Sequence, residues 1–137
     1  MIDIIQLVQS SLDTELNRIP IRSYWMQRQE LDDDQNPDEY IVYTAVEHEP
    51  EAGADGKGLI YRSYVTLRYF VRESWIGSGE KYHLIRQHMN AIRTAMIKND
   101  FDCGSWQNVG DVDGISFTTF ILSAQYSEVD RGDGEPE

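Results

Sequence analysis

The feature that most constrains the fold is an alternating run from Leu59 to Glu73. Apolar side chains occupy every second position from Leu59 to Val71, and only Ser63 breaks the series. A period of two separates side chains onto two faces only in a β-strand. The intervening positions mix arginines with large apolar groups: Ile60, Arg62, Tyr64, Thr66, Arg68, Phe70 and Arg72. We therefore predict a long strand that seals a core with one face and offers the other to a second contact.

This strand has a predicted partner immediately before it in the chain. Residues 39–49 also alternate, and residues 50–58 contain three glycines and a proline, which is typical of a turn. The connection is too long for a two-residue turn. The two runs therefore predict a long, protruding β-hairpin.

Two further segments have helical spacing. Apolar residues recur three and four positions apart in residues 2–16 and in residues 80–98, which predicts two amphipathic helices, the second capped by Ser78. A short strand at 21–28, a weak strand at 103–111 and a strong strand at 115–126 complete the order α-β-β-β-α-β-β. Because two helices separate runs of strands, we predict an α+β fold: a single, mainly antiparallel sheet with both helices on one face.

The length of 137 residues fits one domain, which we place at residues 1–126. Residues 127–137 are acidic and show no apolar pattern, so we predict a disordered tail. The N-terminus lacks the pattern of a signal peptide, and no apolar run approaches the roughly 18 residues of a membrane span. We therefore expect no membrane partner.

The net charge of −12 is concentrated in two places, the hairpin region and the tail. Residues 30–57 contain ten acidic residues and only one basic residue, Lys57. Such a charge opposes tight binding to DNA phosphates. The acidic loop either improves solubility or repels DNA from a nearby passage, and its candidate residues are Asp32, Asp33, Asp34, Glu49, Glu51 and Asp55.

No pattern in the chain indicates a catalytic or metal centre. Residues 32–36 match the start of a calcium loop, but Pro37 stands where that loop needs glycine. His83 and His88 are five positions apart, so on a helix they diverge by about 140° and cannot share a metal ion. Cys103 lies in no nucleophile motif and is interpreted as a small buried residue. We predict no enzymatic activity, no cofactor and no metal.

The aromatic and arginine residues of the long strand have two possible uses. They could stack on bases and neutralise phosphates, or they could form a contact between subunits, where tyrosine, phenylalanine and arginine are enriched. The acidic total favours the second use. The predicted interface residues are Arg62, Tyr64, Arg68, Phe70 and Arg72.

The order of the predicted helices and strands, and the residue patterns within them, resemble those of the small tail terminator, or tail-completion, proteins of long-tailed bacteriophages and their prophage copies. The resemblance covers residues 2–126. It rests on the helix around IDIIQLVQSSL, the hairpin 40–73 with its acidic loop, the helix EKYHLIRQHMNAIRTAMI and the closing hairpin that ends in FTTFILSAQY.

This resemblance implies a structural protein without catalytic residues. It implies a homo-oligomeric ring, commonly a hexamer, at the head-proximal end of the tail tube in the virion, made in the bacterial host cytoplasm. The ring would stop tube polymerisation and contact the tail tube protein and the head–tail connector proteins. Another connector or minor tail protein is the alternative in the same class. A small α+β ligand-binding or enzyme-like domain and a nucleic-acid-binding domain are alternatives in other classes.

Overall fold

The computed structural model of the chain describes residues 2–16, 19, 21–26, 38–52, 59–111 and 117–130. The helices it describes are α1 (Ile4–Glu15), α2 (Glu73–Ile76) and α3 (Gly79–Lys98). The strands are β1 (Arg22–Trp25), β2 (Glu39–Ala52), β3 (Leu59–Arg72), β4 (Asp102–Cys103), β5 (Gln107–Asp111) and β6 (Phe117–Asp130).

All six strands form a single sheet in the order β1-β2-β3-β6-β4, with β5 also paired to β6. Only β1 and β2 run parallel, and the other pairs are antiparallel. The predicted α+β fold with one mainly antiparallel sheet is therefore confirmed. The long strand β3 lies at the centre, between β2 and β6.

Both long helices begin at a polar cap. The Asp3 carboxylate accepts a hydrogen bond from the Gln6 amide at 3.1 Å, and the Ser78 hydroxyl accepts one from the Lys81 amide at 3.3 Å. Each bond satisfies an amide that has no partner within its helix. The predicted cap at Ser78 is confirmed. Asp3 is the N-cap of α1 and directly precedes its first turn.

Both long helices cover the same face of the sheet. Ile4, Val8 and Leu12 of α1 and Ile85, Ile92 and Met96 of α3 pack against the odd-numbered residues of β3 from Val65 to Val71. These side chains are nearly or fully buried. The predicted alternation of β3 is thus realised, with its apolar set in the core. Tyr82, which the helical spacing places with the apolar stripe of α3, is instead 53% exposed.

Ser63 breaks the apolar series for a structural reason. The pairing of β2 with β3 shifts between Val46 and Glu49, and His48 has a positive φ of 55° at this bulge. The bulge frees the His48 amide from the ladder, and that amide donates to the buried Ser63 hydroxyl at 2.9 Å. A serine replaces an apolar residue here because the bulge needs an acceptor.

The structure corrects three expectations about element boundaries. The predicted weak strand 103–111 is two short strands, β4 and β5, which both pair with β6. The short helix α2 follows β3 directly, and the sequence patterns predicted no helix between β3 and α3. Strand β6 continues through Asp130, so residues 127–130 are not part of a disordered tail. Residues 131–137 of the predicted tail lie outside the described residues.

The inward-facing side chain of Glu128 explains why the end of β6 lacks an apolar pattern. Its carboxylate accepts a hydrogen bond from the Ile2 amide at 3.0 Å and lies 3.2 Å from the His48 ring nitrogen Nε2. These polar contacts connect Ile2, which precedes α1, to β6 and to β2 of the hairpin. None of the helices in the described residues is both long and apolar enough to cross a membrane.

Candidate interface on the distal sheet face

We call the sheet face opposite the helices the distal face. The register of β3 places all five predicted interface residues on this face, in alternation with the core residues. Tyr64 is 40% exposed and its cross-strand partner Val46 is 54% exposed. No helix packs on the distal face within the described part of the chain. The sequence therefore placed these residues on one surface, and their contact with another subunit stays a prediction.

One end of the distal face is an aromatic cluster. Tyr40 stacks on Phe70 with ring centroids 4.7 Å apart, and it meets Phe117 and Tyr24 edge-on at 5.5 and 6.3 Å. Tyr24, Tyr40, Phe117 and the neighbouring Val42 are buried, and Phe70 packs against them. Phe70 is therefore part of a small second core as well as a predicted contact residue.

The three arginines of the distal face have different environments. Arg72 Nε lies 2.7 Å from Asp38 Oδ1, and its guanidinium covers the Phe117 ring at 5.3 Å. Arg62 lies opposite Glu49 in the ladder, but its guanidinium is 3.6 Å from Glu51 Oε1. Within the described residues, Arg68 has no ion-pair or hydrogen-bond partner. Sequence alone could not separate them, because all three share the same alternation.

A row of hydroxyl groups crosses the distal face beside Arg68. Thr44 pairs with Thr66, and Thr66 pairs with Ser123, so the three side chains lie side by side on β2, β3 and β6. Such directly opposed residues have Cβ atoms about 4.5–5.5 Å apart. Arg68 itself lies between Val42 and Ile121. The centre of the distal face thus combines a guanidinium with hydroxyls inside an apolar frame.

The distal face also holds polar atoms that the described chain leaves unsatisfied. Four buried side-chain atoms of the described residues lack a hydrogen-bond partner, and three belong to distal-face residues: Tyr24 Oη, Arg62 Nε and Thr119 Oγ1. The fourth is Glu128 Oε2, which has the His48 contact. An unsatisfied buried polar group costs about 1–3 kcal/mol. Most of these unsatisfied atoms therefore belong to residues of the distal face.

The predicted acidic group divides between the described residues and the rest of the chain. Glu49 is exposed and Glu51 half-buried on β2, where Glu51 also accepts a 3.4 Å hydrogen bond from the Tyr64 hydroxyl. Asp32, Asp33, Asp34 and Asp55 lie outside the described residues, as does most of the possible calcium loop. Their role in a loop or lumen stays a prediction.

The structure brings together one buried charged group that the sequence did not indicate. Glu39 Oε1 accepts hydrogen bonds from the Tyr69 hydroxyl and, at 2.7 Å, from His88 Nδ1, and all three residues are buried beneath α3. Burial first, and then the Glu39 charge, raise the pKa of Tyr69 above its usual range. The helical position of His88, one residue before the core residue Met89, was the only available signal. The group is enclosed in the core and links β2, β3 and α3.

The other sequence candidates do not gather into a reactive site. His83 is exposed on α3, whereas His88 is buried, and no group of three possible metal ligands occurs within the described residues. Cys103 is half-buried, and burial raises the pKa of its thiol, which disfavours the nucleophilic thiolate.

Two concave regions lie on opposite sides of the sheet. A groove of about 420 Å³ between α3 and the strands β5 and β6 is mainly apolar, with Tyr82, Met89, Trp106 and Phe120 among its lining residues. A concavity of about 340 Å³ with a mixed polar and apolar lining lies on the distal side, with Tyr64, Thr66, Ser123, Gln125 and Asp102 among its lining residues. This concavity adjoins the hydroxyl row and extends the candidate interface towards β4.

Comparisons of the sequence with protein-family models and with curated proteins find no match. The resemblance to tail terminator proteins therefore stays a prediction.

Proposed function

We propose that this chain is a non-catalytic structural protein whose copies assemble through the distal face. The observation that carries the proposal is the exposed apolar pair Val46 and Tyr64 on that face, beside the arginines of β3. A second protein surface can remove Val46 and Tyr64 from water while it contacts the arginines. Arginine and tyrosine are also enriched in protein interfaces.

The assembly we propose is a closed ring. The centre of the distal face is apolar and bears Arg68, whereas the exposed Glu47 and Glu49 form a separate patch towards the end of the hairpin, where Glu49 lies opposite Arg62. Contacts between two different surfaces of the same chain are heterologous, and heterologous contacts generate rings when the rotation closes. A second copy is the preferred partner because the chain itself supplies both charges.

Within this class, the tail terminator role fits the chain best. The resemblance of the element order to that family is the reason for proposing a hexameric ring at the head-proximal end of a phage tail, in contact with the tube and connector proteins. A net charge of −12 would keep DNA from adhering as it passes through the ring.

Negative-stain electron microscopy of the purified chain tests this proposal. We expect closed rings with a uniform diameter and a central opening, formed without any added ligand. Open filaments would show that the contact is heterologous but does not close. Compact particles without an opening, at all protein concentrations, would contradict the ring.

A further inference from the structure

The centre of the distal face has the composition of a site for a carboxylate. Arg68 is a half-buried residue, and no carboxylate among the described residues forms an ion pair with it. The hydroxyls of Thr44, Thr66 and Ser123 lie in the adjacent row and can donate hydrogen bonds. Guanidinium and hydroxyl groups are the donors that bind a carboxylate.

The exposed glutamates of β2 lie too far from Arg68 to form an ion pair with it within one copy. Glu49 lies opposite Arg62, which is six residues from Arg68 along β3. At about 3.3 Å per residue this is a separation of roughly 20 Å, far more than the roughly 4 Å of an ion pair. Glu47 and Glu49 are exposed, and neither has an ion-pair partner among the described residues. Among the described residues, each copy therefore has an arginine without an ion-pair partner and, elsewhere, carboxylates without one.

We infer that Arg68 and the hydroxyl row Thr44–Thr66–Ser123 form a carboxylate-binding site whose occupant is the Glu47–Glu49 segment of a second copy. The inference rests on the proposed function and specifies its central contact. The Arg62 and Arg72 charges are neutralised within their own chain, so Arg68 is the arginine of β3 that binds the neighbour. A planar guanidinium matches a carboxylate with two parallel hydrogen bonds, which the ammonium of lysine cannot reproduce.

A charge exchange followed by light scattering tests the site. Arg68→Glu alone, and Glu47→Arg with Glu49→Arg, should each raise the concentration needed for assembly about tenfold or more, because like charges then meet at the contact. The triple variant that combines all three changes should restore assembly. Arg86→Glu, which changes an exposed arginine on α3, is the matched control and should assemble as the wild type does.

Thermal unfolding followed by circular dichroism establishes that each variant is folded before assembly is compared. Arg68→Lys should assemble more weakly than the wild type and better than Arg68→Glu. If the wild type assembles and Arg68→Glu assembles equally well, or if the triple variant is no better than the single changes, the carboxylate site is wrong while assembly stands. A wild type that never assembles overturns the proposed function itself.

Discussion

At the scale of single residues, the polar groups buried in this fold were the hardest to predict. Glu39, Tyr69 and His88 are 30 and 49 positions apart in the chain, counted from Glu39, and no spacing rule joins them. Their contact depends on β2 and β3 lying side by side under α3. Burying such a group is costly unless every member is hydrogen-bonded, which this arrangement achieves. Sequence patterns report burial of apolar residues far better than the pairing of polar ones.

Tyr43 gives a pH-dependent prediction at this scale. Its hydroxyl donates to Gln9 Oε1 at 2.6 Å, and burial first, then the Asp13 charge, raise the pKa of Tyr43 from 10.0 to about 12. The pKa is higher in the folded state, so its contribution to stability is fully present below pH 10 and is lost as the pH rises through about 12.

The Tyr43→Phe variant isolates this effect from the other groups that titrate at alkaline pH. The difference in unfolding free energy between wild type and Tyr43→Phe should narrow by about 1 kcal/mol between about pH 9 and pH 11. Urea denaturation at both pH values measures it. Tyr82→Phe, which removes the hydroxyl of an exposed tyrosine, serves as the matched control. A constant difference for Tyr43→Phe would contradict the assignment.

At the scale of elements, alternation and helical spacing predicted the hairpin, both long helices and the side of β3 that enters the core. The parallel pairing of β1 with β2 was not predictable, because the local pattern of four residues does not encode its partner. The sequence patterns also did not predict the division into β4 and β5 or the last residues of β6. In β6, Glu128 points inward for its polar contacts, so the period-two pattern ends before the strand does.

The outer edge of β2 beyond β1 shows how the hairpin avoids uncontrolled strand pairing. β1 pairs only with residues 40–43, and the following part of β2 contains the bulge, exposed glutamates and Pro50. Bulges, charges and proline are the devices that block addition of another strand at an edge. This supports assembly through side chains of the sheet face.

Ser63 gives a prediction at the element scale that opposes the simple apolar pattern. Ser63→Val restores the perfect alternation of β3, yet it removes the acceptor of the partly buried hydrogen bond from the His48 amide. We expect a loss of about 1–3 kcal/mol in unfolding free energy, measured by urea denaturation. Ser63→Thr keeps the hydroxyl and should lose less. A Val variant at least as stable as the wild type would show that the bulge does not depend on this bond.

At the scale of the whole molecule, the fold is a sheet with one face covered by helices. On the other face, some polar groups of the described residues lack a hydrogen-bond partner. The sequence predicted that two-faced arrangement, because alternation reports both faces of a strand. It could not show that Arg62 and Arg72 are paired within the chain, or that unsatisfied polar atoms gather on the distal face. Those facts depend on the register between strands, and the residue pattern along one strand does not determine that register.

The most direct test of the distal face as an interface is the mass of the assembled protein, by sedimentation velocity over a range of concentrations. The wild type should form one discrete oligomer of the 15.8 kDa chain. Tyr64→Lys places a charge at an exposed position of the interface and should shift the protein to monomers, whereas the matched Tyr82→Lys on α3 should leave the oligomer intact. A wild type that stays at 15.8 kDa at every concentration, or a Tyr64→Lys variant with unchanged mass, would contradict the account.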